Sequence, residues 1–373
     1  MHELIASPYL DHHVIASRTG SAGLKVTRRH YLGLKDAVDD GNSVPEWLAK
    51  AAPRYLGVHD LTGPAAERVL VREETEPAFA RASYEINLGC NYDCTHCYLG
   101  DKPFIGLPWE KKVRLLEVLR DVGVLYLQVT GGEATVDRDF VRTYLLASQL
   151  GILVNLSTNG SRLWREDILD AFRQAAPKEI AVSMYGATQE SYEALTQRRG
   201  SYKQFKRGVE AAVAAGLPVK LNIIVTRHND AEEADMATYA EDLGISHFSY
   251  HQITPTFNGE GDVMTQQSTR HGRKRKPFTG CNAGHTFFAV DPLGKATFCK
   301  IAREKEVDVL QEGANGLRKL GDYADEGHLR TGGCAGCTLS GTCSTCRPLA
   351  KLYQEAGAEL NRYCQHGEKE QMS

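Results

Sequence analysis

The chain has 373 residues, enough for one large catalytic domain and one or two small ones, and 42% of them are hydrophobic, which supports a packed core. A net charge of −3 gives no global attraction to nucleic acid or an anionic membrane, and no apolar run approaches the roughly 18 residues of a membrane span, so neither is an expected partner. The opening hexapeptide lacks a basic region followed by an apolar run, so no signal peptide is expected; ten cysteines in such a chain argue for metal over disulfides and for a cytoplasmic protein.

Residues 1–80 read as a separate small module. Segments 13–17 and 23–27 predict two short strands around a Gly-Ser turn. Ser43-Val44-Pro45-Glu46 predicts a helix start with Ser43 as its cap, and a second short helix is expected over 64–71. No single residue of the module is diagnostic of a role, and a cap with no binding role is one reading. His12 and His13 are adjacent, so on a strand they face opposite sides and make a poor metal pair.

Residues 81–257 alternate strands and helices. Strands are predicted at 83–88, 125–130, 153–157, 180–184, 219–225 and 248–252. Helices are predicted from Trp109, over 140–150, 164–174, 202–215 and 231–243. Six strand–helix units at this spacing imply a parallel sheet with helices outside. In such folds ligands sit at the carboxyl ends of strands. The unusual loops all fall there: Cys90 to Cys97, Gly131-Gly132-Glu133, Ser157-Thr158-Asn159-Gly160 and Ser183-Met184-Tyr185-Gly186.

Residues 258–280 read as a polar linker with a basic run, 270–276, that is either a solvated segment or a contact for an acidic peptide or nucleic acid. Residues 281–373 hold seven of the ten cysteines: Cys281, Cys299, Cys334, Cys337, Cys343, Cys346 and Cys364. Segments 286–290 and 295–299 predict a hairpin around Asp291-Pro292-Leu293-Gly294 that presents Cys299 at its end. A helix over 348–360 then brings Cys364 back.

Cys90, Cys94 and Cys97, spaced C-x3-C-x2-C, put three thiolates on one loop. Three thiolates can hold three irons of a cubane cluster and leave the fourth open. The alternatives are a structural zinc knuckle, with His96 as an awkward fourth ligand, or free core thiols.

The triplet resembles the C-x3-C-x-φ-C signature of the radical S-adenosylmethionine (radical SAM) superfamily, with His96 in the φ place. The resemblance implies a partial (β/α)6 TIM-like barrel, a [4Fe-4S] cluster on Cys90, Cys94 and Cys97, and S-adenosyl-L-methionine chelated at the open iron. Reduction then yields a 5′-deoxyadenosyl radical that abstracts a hydrogen from the substrate, and a reductant such as a flavodoxin or ferredoxin is implied. Gly131-Gly132-Glu133 resembles the family's G-G-E motif, whose glycines and carboxylate would position the cofactor's amino group. Ala134 stands where proline is usual. Ser157, Asn159 and Ser183 fall where relatives contact the cofactor's ribose and carboxylate.

The C-terminal pattern resembles the SPASM domain of radical SAM peptide maturases, and the N-terminal strands and helices resemble the winged-helix element with which such enzymes grasp a leader peptide. Carried over by position, Cys334, Cys337, Cys343 and Cys364 would ligate one auxiliary iron–sulfur cluster, and Cys281, Cys299 and Cys346 the other. The last C-x2-C gap is one residue shorter than is common. Zinc on Cys334, Cys337, Cys343 and Cys346 is the alternative, and it strands the remaining three. Auxiliary clusters can accept the electron released when a substrate radical closes a bond, whereas epimerisation needs a spare thiol as hydrogen donor. The expectation is therefore an oxidative maturase that cross-links a ribosomally made precursor peptide. A radical dehydrogenase of a small alcohol or aminoglycoside, and a zinc-binding nucleic-acid or protein adaptor, are the competing readings.

Overall fold

In the computed structural model, which describes residues 2–19, 23–76, 79–270, 277–329, 334–338 and 343–364, the N-terminal module is a small sheet backed by helices. Strands β1 (Leu4–Tyr9), β2 (His12–Ser17) and β3 (Gly23–Val26) precede helices α1 (Arg28–Asp39), α2 (Glu46–Tyr55) and α3 (Ala65–Arg68), and β4 (Val69–Val71) closes the sheet in the order β3-β2-β1-β4. Thr27 caps α1, its hydroxyl accepting from the His30 amide. Two expectations change here. Ser43 does not cap the second helix: Pro45 holds that position without a side-chain bond, and Ser43 bridges to Pro64. The helix expected over 64–71 breaks after Arg68, because Val69–Val71 pairs in parallel with Leu4–Ala6, a setting that suits valines.

The module is bolted to the barrel beneath it. Ile5 and Ala16 pack on Leu125 and Leu153. Arg18 donates to Ser148 O at 2.8 Å, and Arg72 to Val124 O at 2.8 Å and Arg120 O at 2.6 Å. The Ser148 and Arg120 carbonyls lie in the last turns of their helices, where C=O groups lack an intrahelical partner; Val124 O lies just past one.

The barrel follows the expected alternation. Its parallel strands are β5 (Arg81–Glu85), β6 (Tyr126–Thr130), β7 (Leu153–Thr158), β8 (Glu179–Met184), β9 (Val219–Ile224) and β10 (Ser246–Tyr250). Its helices are α4 (Trp109–Asp121), α5 (Phe140–Gln149), α6 (Glu166–Gln174), α7 (Gln189–Thr196), α8 (Ser201–Ala214) and α9 (Glu233–Asp242). Leucine and valine recur at helical spacing on α4, where Leu115, Leu116, Val118 and Leu119 are buried against the sheet.

The C-terminal region extends the same sheet. Strand β11 (Phe287–Val290) pairs in parallel with β5, and β12 (Lys295–Thr297) and β13 (Val307–Asp308) follow antiparallel, giving nine strands in the order β10-β9-β8-β7-β6-β5-β11-β12-β13. Helices α10 (Val309–Leu317), α11 (Leu320–Gly327), α12 (Arg347–Glu355) and α13 (Leu360–Tyr363) complete it. The helix expected over 348–360 is thus two helices, divided at Gly357, whose φ is 63°. The basic run lies outside the described residues apart from Arg270, which pairs with Asp230 at 3.4 Å. Among the described residues no helix is long and apolar enough to cross a membrane.

Candidate active site

The loop after β5 carries the three thiols over the carboxyl end of the sheet. Cys90, Cys94 and Cys97 line one cavity of about 350 Å³ together with His96, Gly131, Gly132, Ser157, Asn159 and Ser183. Backbone bonds fix the loop from both sides. Gly132 N donates to Asn87 O at 3.0 Å and Glu133 N to Gly89 O at 2.9 Å, while Asp93 N and Thr95 N reach Thr196 O and Leu195 O at the end of α7, at 3.0 and 3.1 Å. The paired glycines are a steric necessity. A Cβ on Gly131, whose φ is 147°, would stand 2.3 Å from Asn87 O, and one on Gly132 would stand 2.2 Å from Leu88 O.

Glu133 is the one expected contact residue that does not line the cavity. It is 1% exposed, and its carboxylate accepts four bonds from the protein. Oε1 takes Thr135 N at 3.0 Å, Thr135 Oγ1 at 2.6 Å and Thr158 Oγ1 at 2.6 Å; Oε2 takes Asn159 N at 2.6 Å. The carboxylate therefore ties the end of β6 to the end of β7. Asn159 carries the tie onward: its Nδ2 donates to Asn91 Oδ1 at 2.9 Å and approaches Cys90 Sγ at 4.0 Å. Ser157 accepts from Gln128 at 2.8 Å.

The thiols are suited to metal and poorly suited to solitude. Burial, aided by the charge of Glu133, pushes the Cys90 thiol up to about 12, and burial lifts Cys94 well above its ordinary value, with Cys97 and Cys90 adding to it. Tyr92 N donates to Cys90 Sγ at 3.4 Å, the kind of contact that stabilises a ligating thiolate. Burial, with Lys102 next, lowers His96 to about 4, so its ring is neutral at pH 7, and its Nδ1 is buried without a partner among the described residues. Among those residues no three His, Cys, Asp or Glu side chains form a single-ion site; what the three thiols share is a cavity wall. Iron must displace the thiol protons. Reconstitution with ferrous iron and sulfide therefore goes further as pH rises from neutral towards the thiol range, read from charge-transfer absorbance; a yield that falls with pH would contradict this.

A model described as the radical SAM superfamily matches residues 84–266, spanning the thiol loop, the G-G-E turn and all six parallel strands except the first residues of β5. This chain belongs to the radical SAM superfamily. It is 24% identical to the AdoMet-dependent heme synthase of Methanosarcina barkeri over 76% of this chain and 95% of that one. It is 26% identical to the subtilosin biosynthesis protein AlbA of Bacillus subtilis over 60% of this chain, and 32% identical to the mycofactocin maturase MftC of Mycobacterium ulcerans over 57%. The matches span only 56% and 60% of those two relatives. The fold is that of Streptococcus suis SuiB, solved with the precursor peptide SuiA: the TM-score is 0.61 at 13% identity, over 92% of this chain and 93% of that one. The enzyme anSMEcpe, solved with AdoMet and the Cp18Cys peptide, superposes with a TM-score of 0.55 at 15% identity, over 78% of this chain and 94% of that one.

As a radical SAM enzyme the chain uses a [4Fe-4S] cluster and S-adenosylmethionine, and the cavity fits that pair by its three thiols, its glycine-floored wall and Asn222 Oδ1, an acceptor with no partner among the described residues. The remaining cysteines fall into two groups. Cys299 lies within electrostatic reach of Cys346 and Cys281, and Cys334 within reach of Cys343, Cys364 and Cys337. Donors again point at sulfur: Ala283 N to Cys281 and Ala302 N to Cys299, each at 3.4 Å, and Gln354 to Cys334 at 3.5 Å.

Sequence reasoning passed over the wall between the radical SAM loop and these groups. Lys300 Nζ, next to Cys299, donates to the hydroxyl of Tyr98, next to Cys97, at 3.0 Å. Glu85, 3% exposed at its side chain, holds Lys300 at 3.7 Å and Arg303 at 2.7 Å. The adjacency of both Tyr98 and Lys300 to cysteines was the available signal.

Proposed function

We propose that this radical SAM enzyme is a maturase of a ribosomally made precursor peptide, with a SPASM-type C-terminal domain holding two auxiliary iron–sulfur clusters. The observation that carries this reading is the partition of the seven C-terminal cysteines into a group of four and a group of three, the latter reaching the radical cavity through Lys300 and Tyr98. When bound, the first cluster and S-adenosylmethionine supply a 5′-deoxyadenosyl radical, and a flavodoxin- or ferredoxin-type reductant supplies the electron that generates it.

The chain's own residues do the rest. Gly131 and Gly132 let the cofactor lie against backbone, with Glu133 and Asn159 positioning that backbone. Ser157, Ser183 and Asn222 offer polar contacts from three neighbouring strands. Among the described residues the cavity wall contains no carboxylate; its cations are Lys102, paired with Asp93 at 2.7 Å, and Lys300. The wall thus supplies no carboxylate base, and the proton lost on oxidation passes to water. The net change is oxidative: two hydrogens leave the peptide, one as 5′-deoxyadenosine and one as a proton, the accompanying electron passing to the C-terminal clusters. An intrapeptide cross-link is the product this balance fits best.

A second reading, a small-molecule substrate, is favoured by the heme synthase likeness, which spans 95% of that relative. The adaptor reading has no place in a radical SAM enzyme. The two remaining readings separate in one anaerobic experiment. Reduced, reconstituted enzyme is mixed with S-adenosylmethionine and any short peptide encoded beside its gene, and mass spectrometry follows both products. A peptide lighter by two hydrogens, formed in step with 5′-deoxyadenosine, is the expected result. Cofactor cleavage with an unchanged peptide would transfer the assignment to the small-molecule reading.

A further inference from the structure

Two cavities share the inner wall of the barrel. Tyr126 of β6, Asn155 of β7 and Glu179 of β8 line a cavity of about 540 Å³ at the barrel floor; two residues further along each strand, Gln128, Ser157 and Ala181 line the cavity of the thiol loop. Side chains two apart on a strand face the same way, so the two cavities follow each other along one wall. Closed TIM barrels fill this space with layers of branched apolar side chains. Here it is lined by amides and hydroxyls, Gln128 is exposed although it sits mid-strand, and Asn222 Oδ1 has no partner among the described residues. The wall is built to meet a polar occupant.

The floor end is completed by the N-terminal module, through Tyr9, His12, Gly23 and Lys25. Gly23 and Lys25 belong to β3, the outer strand of the module's sheet. Both carboxylates near this mouth already have partners: Glu179 is matched by Lys220 at 3.2 Å, and Asp11, which also feels the charge of Lys25, bonds His12 at 2.8 Å. Of the lining cations, Lys178 donates to Ser17 O at 2.8 Å, whereas Lys25 and Arg81 form no ion pair within 4 Å among the described residues, Arg81 lying 6.0 Å over the Tyr126 ring.

We propose that this wall is a peptide channel, in which an extended segment bearing carboxylates is held at the floor by Lys25 and Arg81 and runs up the inner face of β6 to β9 to the thiol loop. The proposal rests on the peptide reading given above. Its scale is set by the strands. From Tyr126 to Thr130 is four steps of about 3.3 Å, roughly 13 Å, which an extended chain crosses in about four residues. The residue that reacts then lies about four to six positions from the anchoring carboxylate.

Binding of defined probes to the full-length protein tests this without turnover. Fluorescein-labelled decapeptides of alternating Glu and Val, or of alternating Lys and Val, are titrated at low salt and followed by anisotropy. The acidic probe binds; Arg81→Glu and Lys25→Glu each weaken it by about 10-fold or more, and the double variant prefers the basic probe. Melting curves and peptide-free S-adenosylmethionine cleavage report whether each variant is intact. No binding of the acidic probe, equal binding by intact variants, or displacement by a single-stranded oligonucleotide as readily as by unlabelled acidic peptide would overturn the proposal. If the probe fails to bind while the precursor is still oxidised, the channel is wrong and the maturase reading stands. Charge-dependent binding without any peptide oxidation supports the channel and removes the maturase reading.

Discussion

Replacing Gly132 by alanine is expected to abolish S-adenosylmethionine cleavage and to destabilise the protein. The new Cβ would meet Leu88 O at 2.2 Å and Gly89 O at 2.5 Å, and both are backbone atoms of the segment leading into the thiol loop. No side-chain rotation relieves such a contact, so the G-G-E turn and the loop must separate, breaking the bonds from Gly132 N to Asn87 O and Glu133 N to Gly89 O. Overpacking of this kind costs about 3 kcal/mol or more when backbone must move. A displacement of about 1 Å between reacting groups costs on the order of 100-fold in rate. The measurement is 5′-deoxyadenosine formation by reconstituted enzyme alongside a melting curve. The same substitution at Gly33, exposed inside α1 with nothing within 4 Å of its Cβ, is the control: it should leave cleavage unchanged and raise stability slightly, by about 0.5–1 kcal/mol. Wild-type activity in Gly132→Ala would show that the turn and the loop need not touch.

The second large effect is expected at Glu133. Truncation to alanine removes the acceptor for Thr135 N, Thr135 Oγ1, Thr158 Oγ1 and Asn159 N at once, in a place that is 1% exposed. Hydrogen bonds to a charged group are worth about 1.5–3 kcal/mol each, and buried donors left unpaired carry their own penalty. Summed without assuming additivity, the expected loss is about 3–5 kcal/mol. Glu133→Gln retains one oxygen and should fall between wild type and alanine, since its amide group cannot accept from one of the donors. A positioning role predicts that both variants lose thermal stability and cofactor cleavage together. Loss of cofactor affinity with an unchanged melting temperature would instead make Glu133 a direct contact.

Much of the barrel was legible because its signals are local. Runs such as Leu127-Gln128-Val129 and Leu153-Val154, and the helical spacing of Leu116 and Leu119, announce strands and helices with only near neighbours in view. The strand β1 was not, since Pro8 interrupts it and its partners are β2 and the distant β4. Helix α1 was missed for a different reason: only Tyr31, Leu34 and Ala37 of its twelve residues are buried, so its apolar stripe is thin. Helices α7, α10 and α11 were likewise not anticipated; α10 is kinked at Gly313, whose φ is 53°, and glycine is a poor helix former.

At the site, spacing put the three thiols on one loop after a strand, while the part given to the two glycines came from resemblance to the G-G-E motif at the end of the next strand. The direction of the Glu133 carboxylate could not be read, because its donors are side chains and amides that only the folded arrangement brings to it. The contact of Lys300 with Tyr98 was hidden for the same cause, the two lying about two hundred residues apart, although each stands beside a cysteine. The pairing of Cys346 with Cys281 and Cys299, rather than with its neighbours in sequence, came from pattern resemblance; the fold places the three within reach of one another.

The strand that launches the thiol loop has one near and one distant neighbour: β6, the next strand in sequence, on one side, and β11, through Phe287 paired with Arg81, on the other. The two paired residues are 206 positions apart (287 − 81). A ribosome adding about 5–20 residues per second needs roughly 10–40 s to cover that gap. During synthesis, β5 therefore has one edge open, next to three unliganded thiols, and contacts this distant in sequence are slow to form. The C-terminal hairpin is in this sense the last stave of the barrel. A nascent chain acquires a fully flanked iron-binding loop only after β11 has been made, about two hundred residues after β5.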